Sequence, residues 1–150
     1  ISMNNKIPPP IVTLFFGLCI FFSKSYFPDF NYQILNVLSL ISILFGIYIL
    51  FLAVRLFNKQ NTTVNPIKIE KASSLVVAGI FQYSRNPMYL GMLFVLIGLS
   101  FKFNIIGGII FTLLFMLFIT AFQIKPEEQT MDKLFGDEFK EYKKKVRMWL

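Results

Sequence analysis

The chain has 150 residues, of which 55% are hydrophobic, 17% aromatic and only 15% charged, whereas a soluble domain averages about 25% charged. With a mean hydropathy of +0.63 and 19 Phe, it holds far more apolar surface than a globule of 17.4 kDa can bury, which nearly excludes a soluble single domain and predicts an all-α, polytopic integral membrane protein. It has no His and one Cys, so His-dependent metal sites, Ser-His and Cys-His triads and disulfide frameworks are excluded.

The chain opens Ile1-Ser2-Met3. The first two residues read as a cloning remnant and Met3 as the natural start. Charge then divides the sequence. Of eight acids, only Asp29 and Glu70 precede residue 125; Glu127, Glu128, Asp132, Asp137, Glu138 and Glu141 follow it. An apolar body to about residue 124 is thus followed by a charged tail, 125–150. The net charge of +7 could suggest nucleic acid. The basic residues sit between apolar runs, however, so topology and lipid headgroups explain them better.

Four apolar segments are predicted as spans. The first, 11–27, follows Pro8-Pro9-Pro10, which suits a helix start; Lys24 can snorkel at its far end. A signal peptide is the rival reading, since Lys6 precedes the apolar run. Ser23-Lys24-Ser25 is a weak cleavage site and three more spans follow, which favours an uncleaved helix. The second segment, 34–57, carries Asn36, Ser39 and Ser42 as polar interruptions. The third, 88–101, is short at roughly 21 Å against a hydrocarbon core of roughly 30 Å. The fourth, 105–124, is long enough. Phe101 to Asn104 reads as a tight turn with Asn104 as cap. The third and fourth segments then form a hairpin, in which Gly91, Gly98, Gly107 and Gly108 permit close contact. Cys19 reads as a buried span residue and the Phe excess as lipid-facing bulk.

Four spans with both ends in the cytoplasm put Lys6, Arg55, Lys59, Lys68, Lys71, Arg85 and the basic tail inside. Only Lys24 and Lys102 remain outside, which agrees with the positive-inside rule.

The loop of about 30 residues between the second and third segments, 58–87, carries the chemistry: loops this long in small proteins are usually functional or disordered, and this one is not of low complexity. It reads Thr62-Thr63-Val64-Asn65-Pro66, then Ser73-Ser74-Leu75-Val76-Val77-Ala78-Gly79-Ile80-Phe81, then Gln82-Tyr83-Ser84-Arg85-Asn86-Pro87-Met88-Tyr89-Leu90-Gly91. Pro87 suits the first helical position and Asn86 the cap. A capped helix with a snorkelling Arg and interfacial aromatics would explain the same residues. A second cluster, Lys125-Pro126-Glu127-Glu128, places two acids at the first turn of the next helix, where favourable interaction with the helix dipole is the plain alternative. Beyond Met131, Leu134 and Phe135, Gly136 reads as a helix stop and Asp137 as a new cap. Phe139, Tyr142, Val146 and Trp149 then share one helix face. Lys140, Lys143, Lys144, Lys145 and Arg147 surround that face, as in a helix lying on a membrane surface, or in a lid over a site.

Residues 75–91, followed by Glu127-Glu128 and Phe135-Gly136-Asp137-Glu138-Phe139-Lys140-Glu141-Tyr142, resemble the isoprenylcysteine carboxyl methyltransferase family, which is related to the membrane phospholipid methyltransferases. The resemblance covers roughly 62–150, is closest to small prokaryotic-type members, and does not extend to the first two segments. In the eukaryotic enzymes the residue after the Arg is usually His; here it is Asn86.

The resemblance implies a single membrane methyltransferase domain over 1–150, with two spans in 1–61 and the cofactor-binding catalytic region in 62–150. It implies S-adenosylmethionine as methyl donor, bound by Gly79, Tyr83, Arg85, Asn86, Pro87, Tyr89, Gly91, Glu127 and Glu128. Arg85, Asn86 and Glu128 are the implied catalytic residues, with no metal. The implied partners are membrane lipids and a lipophilic small-molecule or prenylated substrate arriving from the bilayer, with no nucleic acid. The implied location is a prokaryotic cytoplasmic membrane, with the active site on the cytoplasmic side.

The chemistry suits these residues. Methyl transfer from a sulfonium is an in-line displacement that needs positioning and exclusion of water. A carboxylate acceptor, the favoured reading and one that fits a prenylcysteine-like group, needs no general base. An amine acceptor, as in a phospholipid N-methyltransferase, would have to lose a proton, to Glu127, Glu128 or a Tyr. Arg85 can pair the cofactor's carboxylate. Glu127 and Glu128 can accept from its ammonium or ribose hydroxyls, Asn86 and Tyr89 can hydrogen-bond, and Gly91 and Gly79 permit close approach. Two other classes compete: an NADPH-dependent sterol-reductase-like membrane protein, which would need more spans, and a non-catalytic membrane protein.

Overall fold

A computed structural model describes residues 7–59 and 75–150. Met3, Lys6, the Thr62–Pro66 stretch, Lys68, Glu70, Lys71, Ser73 and Ser74 lie outside the described residues. Every regular element among the described residues is helical.

Helix α1 (Pro9–Phe22) starts before the predicted residue 11, because Pro9 fills the first helical position, where a missing N–H costs nothing. The N–H groups of Ile11 and Val12 both bond the Pro8 carbonyl. It ends at Phe22, short of the predicted 27, and a 3₁₀ turn (Lys24–Tyr26) follows. Helix α2 (Gln33–Lys59) is the longest uninterrupted α-helix. A 3₁₀ turn (Gly79–Gln82) then leads to α3 (Pro87–Phe103).

Helices α3 and α4 (Ile105–Ile119) are separated by Asn104 alone. The predicted four-residue turn is therefore mostly helix. Asn104 makes this possible by satisfying both helix ends at once. Its N–H bonds Ser100 O at 3.0 Å, and its Oδ1 accepts from the Gly107 N–H at 3.0 Å. Its Nδ2 donates to Ile20 O and Ser23 Oγ, which ties in the end of α1. A Cβ at Gly107 would strike the Asn104 side chain, and one at Gly108 would strike Ser100.

The other two glycines of the expected hairpin face elsewhere. The buried residues of α2, Ser39, Ser42, Gly46, Ile49 and Ala53, recur at spacings of three and four and form one narrow face. That face lies against α3. A Cβ on Gly46 would come within 2.5 Å of Gly91 O, and one on Gly91 within 2.8 Å of Gly46 O. Gly98 meets Ser39 and Ile43 in the same way. Ser42 Oγ donates to Phe94 O at 2.7 Å. Small residues and a cross-helix hydrogen bond are what hold helices together where the surroundings are as apolar as the side chains.

Among the described residues, two helical runs are long and apolar enough to cross a membrane, Gln33–Lys59 and Ile105–Phe135. Helices α1 and α3 are apolar but shorter, at 14 and 17 residues. The outward faces of α1 and α2 expose Leu14, Phe15, Leu18, Leu40, Leu44 and Phe51, a pattern that lipid tails solvate as well as a protein core does. Cys19 is half-buried rather than buried.

After α4 the helix widens into one π turn (Thr120–Ile124), then continues as α5 (Lys125–Phe135). Pro126 gives the reason. In a regular helix its ring would collide with the carbonyl four residues back and its missing N–H would orphan that carbonyl; a π turn accommodates both. Gly136, at φ 55°, stops α5 as predicted and occupies the cap position expected for Asp137, which instead opens α6 (Asp137–Lys145).

Two apolar clusters form. One packs Val12, Phe16, Ile20, Leu93, Leu96, Phe115 and Ile119 between α1, α3 and α4. The other gathers Ala53, Leu75, Val76, Phe81, Phe139 and Tyr142, and so joins the end of α2, the loop before α3 and α6.

Candidate active site

The site lies where the loop before α3 meets the start of α5. Pro87 opens α3 and fixes the direction from which Arg85 arrives. The Arg85 guanidinium reaches Glu128 on α5, Nη2 to Oε1 3.4 Å, with both side chains largely buried. One turn into α3, the Tyr89 hydroxyl donates to Glu127 Oε1. Adjacent acids on α5 are thus divided between two partners on neighbouring turns.

Burial pushes the Glu127 carboxyl up to about 8; the adjacent Glu128 charge adds to this, while the Tyr89 hydrogen bond opposes it. Burial also raises Glu128, against the opposing pull of Arg85 and Lys143. The helix-dipole account of the two acids fails, because α5 has no free start. The Lys125 N–H is already bonded to Thr120 O across the π turn. The acids therefore face α3 and Arg85 without a ring of unpaired N–H groups to favour them.

The chain end closes over this group. Helix α6 stops at Lys145 and Val146 is extended, so the expected four-residue face of Phe139, Tyr142, Val146 and Trp149 is not one helix face. Phe139 and Tyr142 are buried against Phe81 and the end of α2. The Tyr142 hydroxyl donates to Phe81 O at 2.7 Å and Ser84 O at 3.4 Å. The last residues run as a strap. The Arg85 N–H bonds Arg147 O at 3.0 Å. Asn86 Nδ2 donates to Met148 O at 2.9 Å and Ser84 Oγ to the same carbonyl at 3.4 Å. Trp149 Nε1 donates to Thr120 Oγ1 in the π turn at 3.2 Å.

Arg85, Asn86, Pro87, Tyr89, Glu127 and Glu128 therefore converge. Asn86 stands at the cap position of α3, but its side chain makes no capping bond; the strap takes it instead. Gly91 is turned to α2. Gly79, at φ 60°, faces Leu56, and Tyr83 is exposed. Ser84, Thr120, Gln123 and Tyr142 were not singled out as site residues from the sequence, since their partners lie 29 to 116 residues away. Among the described residues, two buried side-chain polar atoms have no partner: Arg85 Nε, a donor, and Gln123 Oε1, an acceptor.

Known proteins share parts of this sequence. Residues 34–138 match the family model for phospholipid methyltransferase. An uncharacterized protein of Haemophilus influenzae is 38% identical over 63 residues, 42% of this chain and all of that protein. A protein-S-isoprenylcysteine O-methyltransferase of Schizosaccharomyces pombe is 35% identical over 82 residues, 53% of this chain and 34% of the relative. A probable protein-S-isoprenylcysteine O-methyltransferase of Oryza sativa subsp. indica is 29% identical over 126 residues, 83% of this chain and 65% of the relative. Thus the chain spans between a third and two thirds of the length of these two methyltransferases. No solved structure is a significant match. Helices long and apolar enough to cross a membrane, together with these matches, make the chain similar to membrane methyltransferases. The chain belongs to the phospholipid methyltransferase family, and within it resembles the isoprenylcysteine O-methyltransferases.

Proposed function

We propose that the chain is an S-adenosylmethionine-dependent methyltransferase acting on a lipophilic carboxylate, such as a prenylcysteine-like group. The observation that carries this reading is the convergence of Arg85 and Tyr89 with Glu127 and Glu128 beneath the C-terminal strap.

The residues present fit the cofactor. Arg85 Nε is a buried donor without a partner among the described residues, and a carboxylate is the group a guanidinium pairs best. Glu127 and Glu128 offer acceptor oxygens to an ammonium or to ribose hydroxyls. When bound, the sulfonium supplies an electrophilic methyl group. A carboxylate acceptor would carry no proton to lose, so these residues would need to supply no general base. The chain's own work is to hold donor and acceptor in line and to keep water out, for which the strap and the Tyr142 contact are suited. Asn86 positions the strap through Met148. Arg85, Asn86 and Glu128 are assigned the catalytic and binding roles together with Pro87, Tyr89 and Glu127. Gly91, Gly79 and Tyr83 support the site from its α2 side and its rim.

We assign four spans to one domain, two within 1–61 and two within 62–150, with both termini and the site on the cytoplasmic side of a prokaryotic membrane. The 20 residues from Ile105 to Ile124 would fill roughly 30 Å of hydrocarbon, which leaves Glu127 and Glu128 at the cytoplasmic boundary. The cofactor then arrives from water, and the acceptor, a small lipid or a prenylated protein, from the bilayer.

A second reading is favoured by Glu127. A buried carboxyl raised toward neutrality can take the proton that an amine must lose, which suits methylation of an aminophospholipid. A methyl-transfer screen with labelled S-adenosylmethionine separates the readings. Label in a base-labile ester of a prenylcysteine analogue supports the first; label in phosphatidylethanolamine supports the second. Binding of NADPH instead of S-adenosylmethionine, or of neither, overturns both.

A further inference from the structure

Gln123 is the other side chain with a buried polar atom left unmatched, and nothing in the methyl-transfer chemistry above uses it. It sits in the π turn and is completely buried. Nε2 donates to the Ile7 carbonyl at 2.7 Å. Because a carbonyl can only accept, this contact fixes which end of the amide faces Ile7 and leaves Oε1 pointing the other way. Oε1 has no partner among the described residues, an arrangement that costs stability when a protein keeps it. π turns recur at functional sites. Gln123 also precedes Glu127 by four residues, about one turn along the same continuous helical run. Glu127 is held by Tyr89 and its neighbour Glu128 by Arg85, the owner of the other unmatched atom. The two orphans, one donor and one acceptor, therefore sit on residues tied to the same pair of acids, Arg85 by its ion pair and Gln123 by its place one turn earlier in the same helical run.

We propose that Gln123 Oε1 binds the methyl acceptor, by accepting a hydrogen bond from an amide N–H adjacent to the carboxylate that is methylated. This rests on the carboxylate reading above. Depth selects the acceptor over the cofactor. Gln123 lies on the apolar side of Glu127 and is completely buried, so a group that reaches Oε1 would come from between the helices and not from water. A group there that offers an N–H within a few bonds of its carboxylate satisfies Oε1; a simple fatty or thioether acid does not.

The test pairs two acceptors with two variants of the full chain. N-acetyl-S-farnesylcysteine has the N–H; 3-(farnesylthio)propionic acid has the same chain and carboxylate without it. Wild type is expected to favour the first by about tenfold in kcat/KM, the worth of one hydrogen bond. The first should also raise the melting temperature in detergent more than the second without cofactor. Gln123→Met, which keeps length but offers no oxygen, is expected to bring the ratio close to one. Gln123→Glu keeps an acceptor oxygen while losing the donor to Ile7, and is expected to retain the preference even if the start of α1 loosens. A wild-type ratio near one overturns the proposal, as does an equal loss on both acceptors in Gln123→Met, which marks a purely structural residue. If wild type methylates neither acid, the carboxylate reading falls and this proposal with it; the other two outcomes leave that reading standing.

Discussion

The side-chain amide of Asn86 donates to the backbone carbonyl of Met148, 62 residues further on, at 2.9 Å. The residue at the start of α3 thus holds down the end of the chain and leaves its own helix uncapped. With the Arg85 N–H on Arg147 O and Trp149 on Thr120, it makes residues 146–150 a structural wall. Deleting them is expected to leave a membrane-inserted helical protein that no longer binds S-adenosylmethionine. Asn86→Ala should lower stability by about 1 kcal/mol, the worth of one ordinary hydrogen bond. Calorimetric titration of both variants in detergent, beside thermal melts, checks this; normal cofactor affinity in the truncated chain would reduce the strap to an anchor.

Arg85→Ala is expected to abolish cofactor binding. It also strands Glu128, which is largely buried and has Arg85 as its nearest cation; breaking a buried pair in this way typically costs about 3–5 kcal/mol. Arg85→Lys should recover part of the stability, since a point charge still faces Glu128, and little of the binding, since an ammonium lacks the forked geometry. Titration with S-adenosylhomocysteine at matched helix content separates the two effects.

Burial raises the folded-state value of Glu127 from the ordinary 4.5 to about 8. Its folded form therefore holds a proton that the unfolded chain has released between those values. The contribution is present in full below pH 4.5 and is lost as pH rises through about 8. Melting temperatures across pH 5 to 9 should fall through this window, and Glu127→Gln should flatten the slope. Tyr89→Phe removes the hydrogen bond that favours the charged form, so it should extend the slope to higher pH. A wild-type profile parallel to that of Glu127→Gln would show that Glu127 does not titrate there.

Sidedness is checked with single-cysteine variants at Lys24 and Lys144 in a Cys19→Ser background. An impermeant maleimide on sealed, right-side-out vesicles should label position 24 and leave position 144 untouched. The reverse pattern would invert the assignment.

The helices were legible because runs of Leu, Ile and Phe announce themselves, and Pro9, Pro87 and Gly136 punctuate them by local backbone rules. Arg85, Tyr89 and the two acids were legible as a motif. What the sequence hid has long-range causes. Phe101-Lys102-Phe103 reads as a turn, yet stays helical because Asn104 satisfies α3, α4 and α1 together. Spacing alone extends α6 to Trp149; partners on the loop before α3 and on the π turn draw residues 146–149 straight instead. Gly91 looked like room for a ligand because nothing local reveals that Gly46 fills that space.

The π turn makes the spacing of its own segment a functional parameter. A helix advances about 100° per residue, and one extra residue in the turn sets the azimuth of everything after it. Winding these residues as ordinary α-helix, with none removed, would swing Glu127 and Glu128 about a quarter of the way around the axis, away from Tyr89 and Arg85, with every side chain of the site still present. In this stretch of the chain the winding matters as much as the side chains, and Pro126, which requires the wide turn, should tolerate replacement less well than its distance from Arg85 suggests.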